Sequence, residues 1–325
     1  MKSKKVLILK LGALGDVVHT TIIADAIKAK HPDWTVDFLT GNLFVSLLNN
    51  HPSIDNIMIW QDEYKTLKGF FKIVKILFDK HYDYFFTPAL SLRTFLFSLL
   101  IFAKKVRFKK KTGDLWVKDY FQMAKSVIKD LEMPEKLSLG ISNEILVRID
   151  NEISKYPKPY FAIAPGRVID NSRQGRLWNI EKWKELTQLL TNKYGGTIFV
   201  LGSADEFETH KLLIGDNVII KTGKYSIEDT KALLSKADLV ISGDTGPIHI
   251  ASAFDVRTLA LLGSTNPKHI KPYGENGHYV SADYDCLYCW KKKCPYLKES
   301  ERYTPCMESL NPEKVFDKIQ SIMNN

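Results

Sequence analysis

The chain has 325 residues, of which 45% are apolar, so it is long enough to bury two cores of ordinary size. Its net charge at pH 7 is +9, and residues 1–155 hold most of this excess, with 24 Lys and Arg against 17 Asp and Glu. No secretory signal peptide and no apolar run of transmembrane length (roughly 18 residues) is present, which favours a cytoplasmic protein. No recognisable nucleic-acid-binding motif accompanies the charge, which argues against nucleic acid as a partner.

The first half of the chain alternates strand and helix patterns. Strands are predicted at 5–11, 35–40, 56–60, 83–87 and 104–108, and helices at 16–30, 43–49, 66–79, 91–102 and 116–131. A polar segment with two prolines, residues 150–160, follows and indicates an interdomain linker.

The second half repeats this alternation. Strands are predicted near 161–164, 197–201, 218–220, 238–241 and 258–261, and helices near 181–194, 205–213, 228–235, 247–253 and 312–323. The pattern predicts an α/β protein with two doubly wound Rossmann-like domains, residues 1–155 and 156–325, facing each other across a cleft. Ligands of such sheets bind outside the carboxyl ends of the strands, which is where Asp16 and Asp244 fall.

A glycine-rich turn, residues 12–15, follows the first predicted strand and leads to a helix at Asp16. The turn does not match the dinucleotide fingerprint G-x-G-x-x-G, which disfavours a dehydrogenase. A helix dipole favours an ionised carboxylate at the helix start, so we expect Asp16 to be charged and able to accept a proton. The alternative is that Asp16 only caps the helix.

A second strand-to-helix turn, residues 242–251 (SGDTGPIHIA), combines an acid, a hydroxyl, a glycine and an imidazole. The first backbone N–H groups of a helix lack internal partners and suit a diphosphate. Thr245 adds a hydroxyl, Gly246 lets the backbone approach a ligand, and His249 lies one helical turn further. The alternative is that Asp244 or Thr245 only caps the helix and that His249 is a structural histidine whose hydrogen bonds are made within the protein.

These segments resemble glycosyltransferase family 9, the ADP-heptose:lipopolysaccharide heptosyltransferases, over nearly the whole chain. The resemblance is carried, in order, by residues 10–20, 165–166, 176–178, Trp183, 201–203, 222–224, 243–249 and 262–265. It implies the glycosyltransferase B architecture, with the acceptor bound by the first domain and the nucleotide sugar by the second. The last helix, 312–323, often crosses back onto the first domain in that architecture.

The resemblance also implies roles for the polar residues. Asp16 matches the catalytic aspartate and is the expected general base. Arg176, where relatives usually carry lysine, is expected to stabilise the leaving diphosphate, with Arg167 and Arg173 on the same loop as alternatives. The other implied contacts are Thr222, Gly223, Lys224 and Tyr225 for adenine, Glu206 or its rival Glu208 for the ribose, Thr245, Gly246, Asp244 and His249 for the diphosphate and heptose, and Gly15, His19 and Thr20 for the acceptor. For His19 and Thr20, packing of a helix face is the alternative, and for either glutamate the alternative is a solvated helix start.

Four cysteines, Cys286, Cys289, Cys294 and Cys306, lie late in the chain. Their spacing suits a structural zinc knuckle, and the alternatives are reduced structural thiols or a redox or cluster role. Relatives carry a similar segment without catalytic duty, and it resembles more closely the enzyme that adds the second heptose. No catalytic metal is required if Arg176 and the helix start compensate the diphosphate charge.

A basic run, residues 104–111, follows the apolar run 95–103. Such a pair can bind anionic lipid headgroups on the inner face of the cytoplasmic membrane, or it can be a buried helix followed by solvated lysines. The leading hypothesis is an inverting, metal-independent transferase that moves heptose from ADP-heptose to the inner core of lipopolysaccharide. The alternatives are another sugar or acceptor, or a non-catalytic nucleotide-binding or cysteine-metal module, against which Asp16 argues.

Overall fold

The computed structural model describes residues 3–88, 92–100, 105–108, 113–166, 175–291, 293–298 and 301–324. They form two compact units, Met1–Gly140 (unit 1) and Ile141–Asn325 (unit 2). Each unit contains one parallel β-sheet whose strands alternate with helices, which confirms the predicted α/β class with two doubly wound domains. None of the described helices combines the length and apolarity needed to cross a bilayer.

Unit 1 is a five-stranded sheet in the order β3-β2-β1-β4-β5. Its strands are β1 (Lys5–Lys10), β2 (Thr35–Gly41), β3 (Asn56–Trp60), β4 (Tyr84–Thr87) and β5 (Lys105–Phe108), and its helices are α1 (Leu14–Thr20), α2 (Ile22–Lys30), α3 (Val45–Leu48), α4 (Leu67–Phe78), α5 (Leu92–Leu100) and α6 (Trp116–Lys125). The central strand β1 is buried on both faces, as a parallel sheet covered by helices requires. The strand order reverses between β1 and β4, so a ligand crevice is expected at their carboxyl ends.

Unit 2 is a six-stranded parallel sheet in the order β11-β10-β9-β6-β7-β8. Its strands are β6 (Tyr160–Ala164), β7 (Thr197–Val200), β8 (Val218–Ile220), β9 (Leu239–Gly243), β10 (Thr258–Leu262) and β11 (Gly277–Ser281), and its helices are α7 (Asn143–Ile153), α8 (Ile180–Tyr194), α9 (Phe207–His210), α10 (Ile227–Lys236), α11 (Gly246–Ala253), α12 (Pro267–Ile270), α13 (Pro305–Glu308) and α14 (Pro312–Met323). Here the order reverses between β6 and β9, which places the expected crevice beside Asp244.

The division between the units lies at Gly140, earlier than the predicted boundary at 155, because part of the predicted linker is helical. Helix α7 starts at a cap in which the Ser142 side chain accepts from the Ile145 N–H at 3.3 Å. Its buried residues Ile149 and Ile153 pack in unit 2, and Tyr160 at the start of β6 donates its hydroxyl to the Ile153 carbonyl at 3.0 Å. The polar exposed face of α7 explains why the sequence pattern resembled a linker.

Other differences between prediction and structure have local causes. The predicted helix 16–30 is two helices: at their junction the Thr21 N–H bonds to the Val18 carbonyl at 3.1 Å in a 3₁₀-type turn, and the Thr21 hydroxyl donates to the same carbonyl at 2.8 Å. The predicted helix 205–213 contains one α-helical turn between two 3₁₀ turns, and the edge strand β11 was not predicted. The last helix, α14, packs on α8 and contributes Val315 and Ile319 to the core of unit 2.

Candidate functional site

In unit 1, Asp16 lies in the first turn of α1, at the carboxyl end of the central strand. The Lys10 Nζ donates to Asp16 Oδ2 at 2.7 Å, and the two side chains are 14% and 22% exposed. The helix begins at Leu14, earlier than predicted, and its N-cap residue Ala13 (φ 61°) forms no side-chain capping bond. The capping alternative for Asp16 therefore does not hold, and its carboxylate is held instead by a lysine at the end of β1.

A second partner of Asp16 is Tyr120 on α6, which is 2% exposed. Burial raises the pKa of the Tyr120 hydroxyl well above its usual value, and the negative charges of Asp16 and Asp119 and a hydrogen bond to Asp16 add to the shift. The protonated phenol therefore keeps its hydrogen bond to Asp16 across the physiological range. Sequence reasoning missed Lys10 and Tyr120: Lys10 had the signal of a cation ending a buried strand, whereas Tyr120 had none.

The three residues predicted to bind the acceptor lie on the same helix at different depths. Gly15 is partly exposed beside Asp16. His19 and Thr20 are 2% and 0% exposed, and the Thr20 hydroxyl donates to the Asp16 carbonyl at 2.6 Å. Their burial favours the packing alternative for both side chains, since both are almost completely inaccessible to solvent.

A cavity of about 760 Å³ opens at the carboxyl ends of β1, β2 and β3. It is lined mainly by apolar and aromatic side chains with a few polar groups: Leu11, Gly41, Asn42, Leu43, Phe44, Ile59, Trp60, Gln61, Asp62 and Lys65. Gly41 is needed here, because a Cβ at this position would lie 2.7 Å from the Leu11 carbonyl oxygen. The cavity starts one residue after Lys10, on the same edge of the sheet as Asp16.

In unit 2, three of the predicted donor-site residues meet at the end of β9. Asp244 Oδ2 lies 3.2 Å from Arg176 Nη1, and its Oδ1 lies 3.4 Å from His249 Nε2. Asp244 and His249 are 9% and 4% exposed, whereas the Arg176 side chain is 25% exposed. The carboxylate thus joins a surface cation to a buried imidazole beside the switch point of the sheet.

Thr245 and Gly246 form the start of α11 next to this cluster. The Thr245 side chain does not cap the helix; its Oγ1 lies 2.6 Å from Ser242 Oγ, which also donates to the Ala164 carbonyl at 2.9 Å. Proline at position 247 has no N–H, so Gly246 and Ile248 supply the first backbone donors of the helix. Through Ser242 and Ala164 the Thr245 hydroxyl therefore lies beside the ends of β9 and β6.

Arg176 is held by close backbone approaches at two glycines. A Cβ at Gly243 would lie 2.7 Å from the Arg176 carbonyl oxygen, and one at Gly263 would lie 2.8 Å from that of Gly175. The Arg176 guanidinium also stacks over the indole of Trp290, 5.9 Å from the ring centroid. The sequence analysis did not predict Trp290 as a site residue, because its segment was interpreted only through the neighbouring cysteines.

The predicted adenine loop follows β8. Gly223 has φ 71° and donates its N–H to the Gly202 carbonyl at 2.9 Å, and a Cβ there would lie 2.8 Å from Ala204 Cα. Thr222 is buried, with its Oγ1 2.8 Å from Nδ1 of the fully buried His210. Burial lowers the pKa of His210 to about 4, and the backbone of Gly166 offsets part of this shift. His210 had no sequence signal.

The remaining nucleotide candidates differ in how accessible they are. Lys224 is exposed, whereas the Tyr225 ring lies against Lys221 Nζ, 5.1 Å from its centroid, and burial together with the negative charge of Glu152 on α7 raises the pKa of its hydroxyl. Glu206 is held in a capping box, in which it accepts from the Ser203 N–H at 2.7 Å. The rival Glu208 is 77% exposed and pairs with Lys211. The helix-start alternative for Glu206 is thus realised, although its second carboxylate oxygen is not part of the capping box.

The four cysteines are free thiols, with Cys306 buried and Cys289 exposed. Within the described ranges, no three His, Cys, Asp or Glu side chains are placed to hold a metal ion. The zinc-knuckle alternative therefore stays a prediction: Cys306 packs in the core with its Sγ 3.3 Å from Thr304 Oγ1, while burial raises the pKa of its thiol and the nearby thiols of Cys286, Cys294 and Cys289 add to the shift. The alternative cations Arg167 and Arg173 lie outside the described residues, as does half of the basic run 104–111, namely residues 104 and 109–111.

The sequence model described as glycosyltransferase family 9 (heptosyltransferase) matches residues 90–299. The chain belongs to glycosyltransferase family 9. Lipooligosaccharide heptosyltransferase 2 of Campylobacter jejuni is 26% identical over 207 residues, a match that spans 62% of this chain and 60% of that relative. The lipopolysaccharide core heptosyltransferase OpsX of Haemophilus influenzae is 27% identical over 299 residues, 86% of this chain and 84% of its own.

A solved family 9 structure has the same fold. Escherichia coli ADP-heptose lipopolysaccharide heptosyltransferase II superposes with a TM-score of 0.77 over 98% of both chains, at 17% identity. The two doubly wound sheets described above are therefore the fold of this family.

Proposed function

We propose that this family 9 member transfers heptose from ADP-heptose to the inner core of lipopolysaccharide, with inversion at the transferred carbon. The observation that carries the proposal is Asp16, a partly exposed carboxylate at the switch point of unit 1 that caps no helix and is oriented by Lys10 and Tyr120. Heptosyltransferases among the relatives and the solved structure named for ADP-heptose support the choice of donor.

In the proposed reaction Asp16 accepts the proton of the acceptor hydroxyl as the oxygen attacks the anomeric carbon of the donor. The bond between that carbon and the diphosphate oxygen breaks, and ADP leaves with the electron pair. Attack from the face opposite the leaving group inverts the carbon. The cavity beside Leu11 and Gly41 is the proposed acceptor site, and unit 1 is the proposed acceptor domain.

Unit 2 is the proposed donor domain. The Arg176 guanidinium, the Thr245 hydroxyl and the first N–H groups of α11 would stabilise the negative charge that develops on the diphosphate. Asp244 and His249 would contact heptose hydroxyls and a phosphate, and the loop from Thr222 would meet the adenine. Because these groups compensate the charge, we propose that transfer requires no metal ion. We further propose that the chain works at the cytoplasmic face of the inner membrane.

Incubation of the purified protein with ADP-heptose and defined truncated acceptors, followed by mass spectrometry of the products, tests the proposal. Asp16→Asn should leave ADP affinity unchanged while transfer falls by roughly 10²–10⁴-fold, the usual contribution of a positioned general base. The control Asp33→Asn, at an exposed acid of unit 1, should behave as the wild type. Near wild-type turnover of the Asp16→Asn variant would remove the general base, and transfer from another nucleotide sugar alone would replace the donor.

Calorimetry with ADP tests the donor domain. Asp244→Ala and His249→Ala should weaken binding, Arg176→Ala should lower turnover, and Arg176→Lys should restore much of it. Unchanged affinity in the first two variants, with unchanged turnover in Arg176→Ala, would contradict the donor assignment. Transfer should also persist in EDTA; activity that vanishes on chelation and returns with Mg²⁺, at an unchanged melting temperature, would contradict metal independence.

A further inference from the structure

Unit 1 exposes an unusual set of large apolar side chains on two neighbouring helices. On α4, Leu67, Phe71 and Phe78 are 76%, 56% and 42% exposed. On α5, Phe95 and Leu99 are 45% and 56% exposed, and the rings of Phe70 and Phe97, 6.0 Å apart, join the two helices beneath this surface. Exposed apolar residues clustered in this way mark an interaction site more often than scattered ones do.

The exposed residues of α4 are ordered around its axis. At about 100° per residue, Leu67, Phe71 and Phe78 fall within one narrow stripe, and Lys75, Lys68 and Lys72 follow directly beside it. The side of the helix that adjoins Leu67 packs in the core through Ile73, Val74 and Leu77, and the 39% exposed Ile76 lies beyond Lys72. We call the exposed stripe with its three lysines the amphipathic face of α4.

Among the residues that the structure describes, one of the three lysines of this face has an acidic partner. Lys72 pairs with Glu63 at 2.8 Å, and this partner raises the pKa of the Lys72 ammonium group. Lys68 and Lys75 form no ion pair with any residue that the structure describes. An apolar stripe bordered by cations suits the boundary between acyl chains and anionic headgroups, where the apolar side chains enter and the ammonium groups remain at the phosphates.

We propose that the amphipathic face of α4 docks unit 1 onto a membrane that contains anionic lipid. This deepens the membrane contact proposed above and moves it from the basic run 104–111 to α4. The turn that precedes α4 borders the lysine side of this face, where Glu63 pairs with Lys72, and it contributes Asp62 and Lys65 to the proposed acceptor cavity, whose lining includes the 76% exposed Leu43. A docked α4 would therefore bring this cavity near the membrane surface, where a lipid-anchored acceptor lies.

Sedimentation of the full chain with phosphatidylcholine vesicles, with and without phosphatidylglycerol, tests the docking surface without any substrate. We expect binding to the anionic vesicles that weakens as salt screens the lysines. The paired change Leu67→Ser with Phe71→Ser should weaken this binding by about tenfold or more, because less apolar surface enters the bilayer. Lys68→Gln with Lys75→Gln should remove most of the preference for anionic over zwitterionic vesicles.

The matched control is Leu212→Ser with Ile214→Ser, at two residues of unit 2 that are 49% and 68% exposed, and it should bind as the wild type does. Three results would overturn the proposal. The first is that the wild type does not bind anionic vesicles, and the second is that the Leu67→Ser, Phe71→Ser variant binds them as tightly as the wild type does. The third is that the wild type is a dimer and this variant is a monomer, which would assign the face to contact with a second copy of the chain. Transfer to a soluble truncated acceptor should survive in all these variants, so a failed docking surface is separable from a failed transferase assignment.

Discussion

His210 should make the stability of this protein fall between about pH 6.5 and pH 4. The imidazole is fully buried below the proposed adenine loop, and burial lowers its pKa from 6.5 to about 4. A folded-state pKa below the unfolded value means that the neutral imidazole is the form that the fold favours. The stability that the neutral imidazole contributes is fully present above the unfolded-state pKa of 6.5, and it is lost as the pH falls towards the folded-state pKa of about 4.

The linkage relation converts this shift into a free energy. With these two pKa values the loss is about 2 kcal/mol by pH 5 and approaches about 3 kcal/mol below pH 4, because each pKa unit corresponds to about 1.4 kcal/mol. Carboxylates also titrate in this range, so the variant His210→Gln, which retains a hydrogen-bonding group but cannot titrate, provides the comparison.

Urea unfolding of both proteins at about pH 7.5 and about pH 5 measures the effect. The wild type should be the more stable at the higher pH, where the bond between His210 and Thr222 is intact. Its advantage over the variant should shrink by about 2 kcal/mol, or reverse, at the lower pH. Equal pH dependence of the two free energies of unfolding would refute the buried neutral imidazole.

Two further substitutions test the donor side of unit 2. Gly223→Ala should lower the free energy of unfolding by about 1–3 kcal/mol and weaken ADP binding, because the position has φ 71° and a Cβ would lie 2.8 Å from Ala204 Cα. Denaturant titration measures the free energy of unfolding, and calorimetry measures the affinity for ADP. A variant with unchanged stability and affinity would refute the close approach of the two backbones. Trp290→Ala should lower kcat more than it changes KM, because the indole holds the Arg176 guanidinium. Trp290→Phe should restore part of the loss, and Trp290→Ala should add little in an Arg176→Ala background; full additivity would show that the two side chains act independently.

The local pattern of the chain was sufficient for most of the fold. Short buried runs and apolar helical spacing depend on neighbouring residues, so β1, β3, β8 and α14 were predicted nearly to the residue. The ordered motifs likewise indicated the family that the comparison later showed, and they singled out Asp244, Arg176 and His249, which the structure brings into contact. Edge strand β11 and helix α7 were missed because their exposed faces carry polar residues, so neither shows a continuous apolar pattern.

Only the tertiary structure decided which side chains are accessible and which partners they have. The sequence predicted that Asp16 begins a helix, but the partners Lys10 and Tyr120 come from a strand end and from a helix about a hundred residues away. The same helical pattern that suggested an acceptor role for His19 and Thr20 is compatible with either face, and packing turned both inward. Burial of His210 and the stacking of Trp290 on Arg176 also depend on contacts between distant segments, which no local pattern encodes. The sequence thus determined the order of the elements and the chemistry available at the strand ends, whereas long-range packing determined the environment in which that chemistry operates.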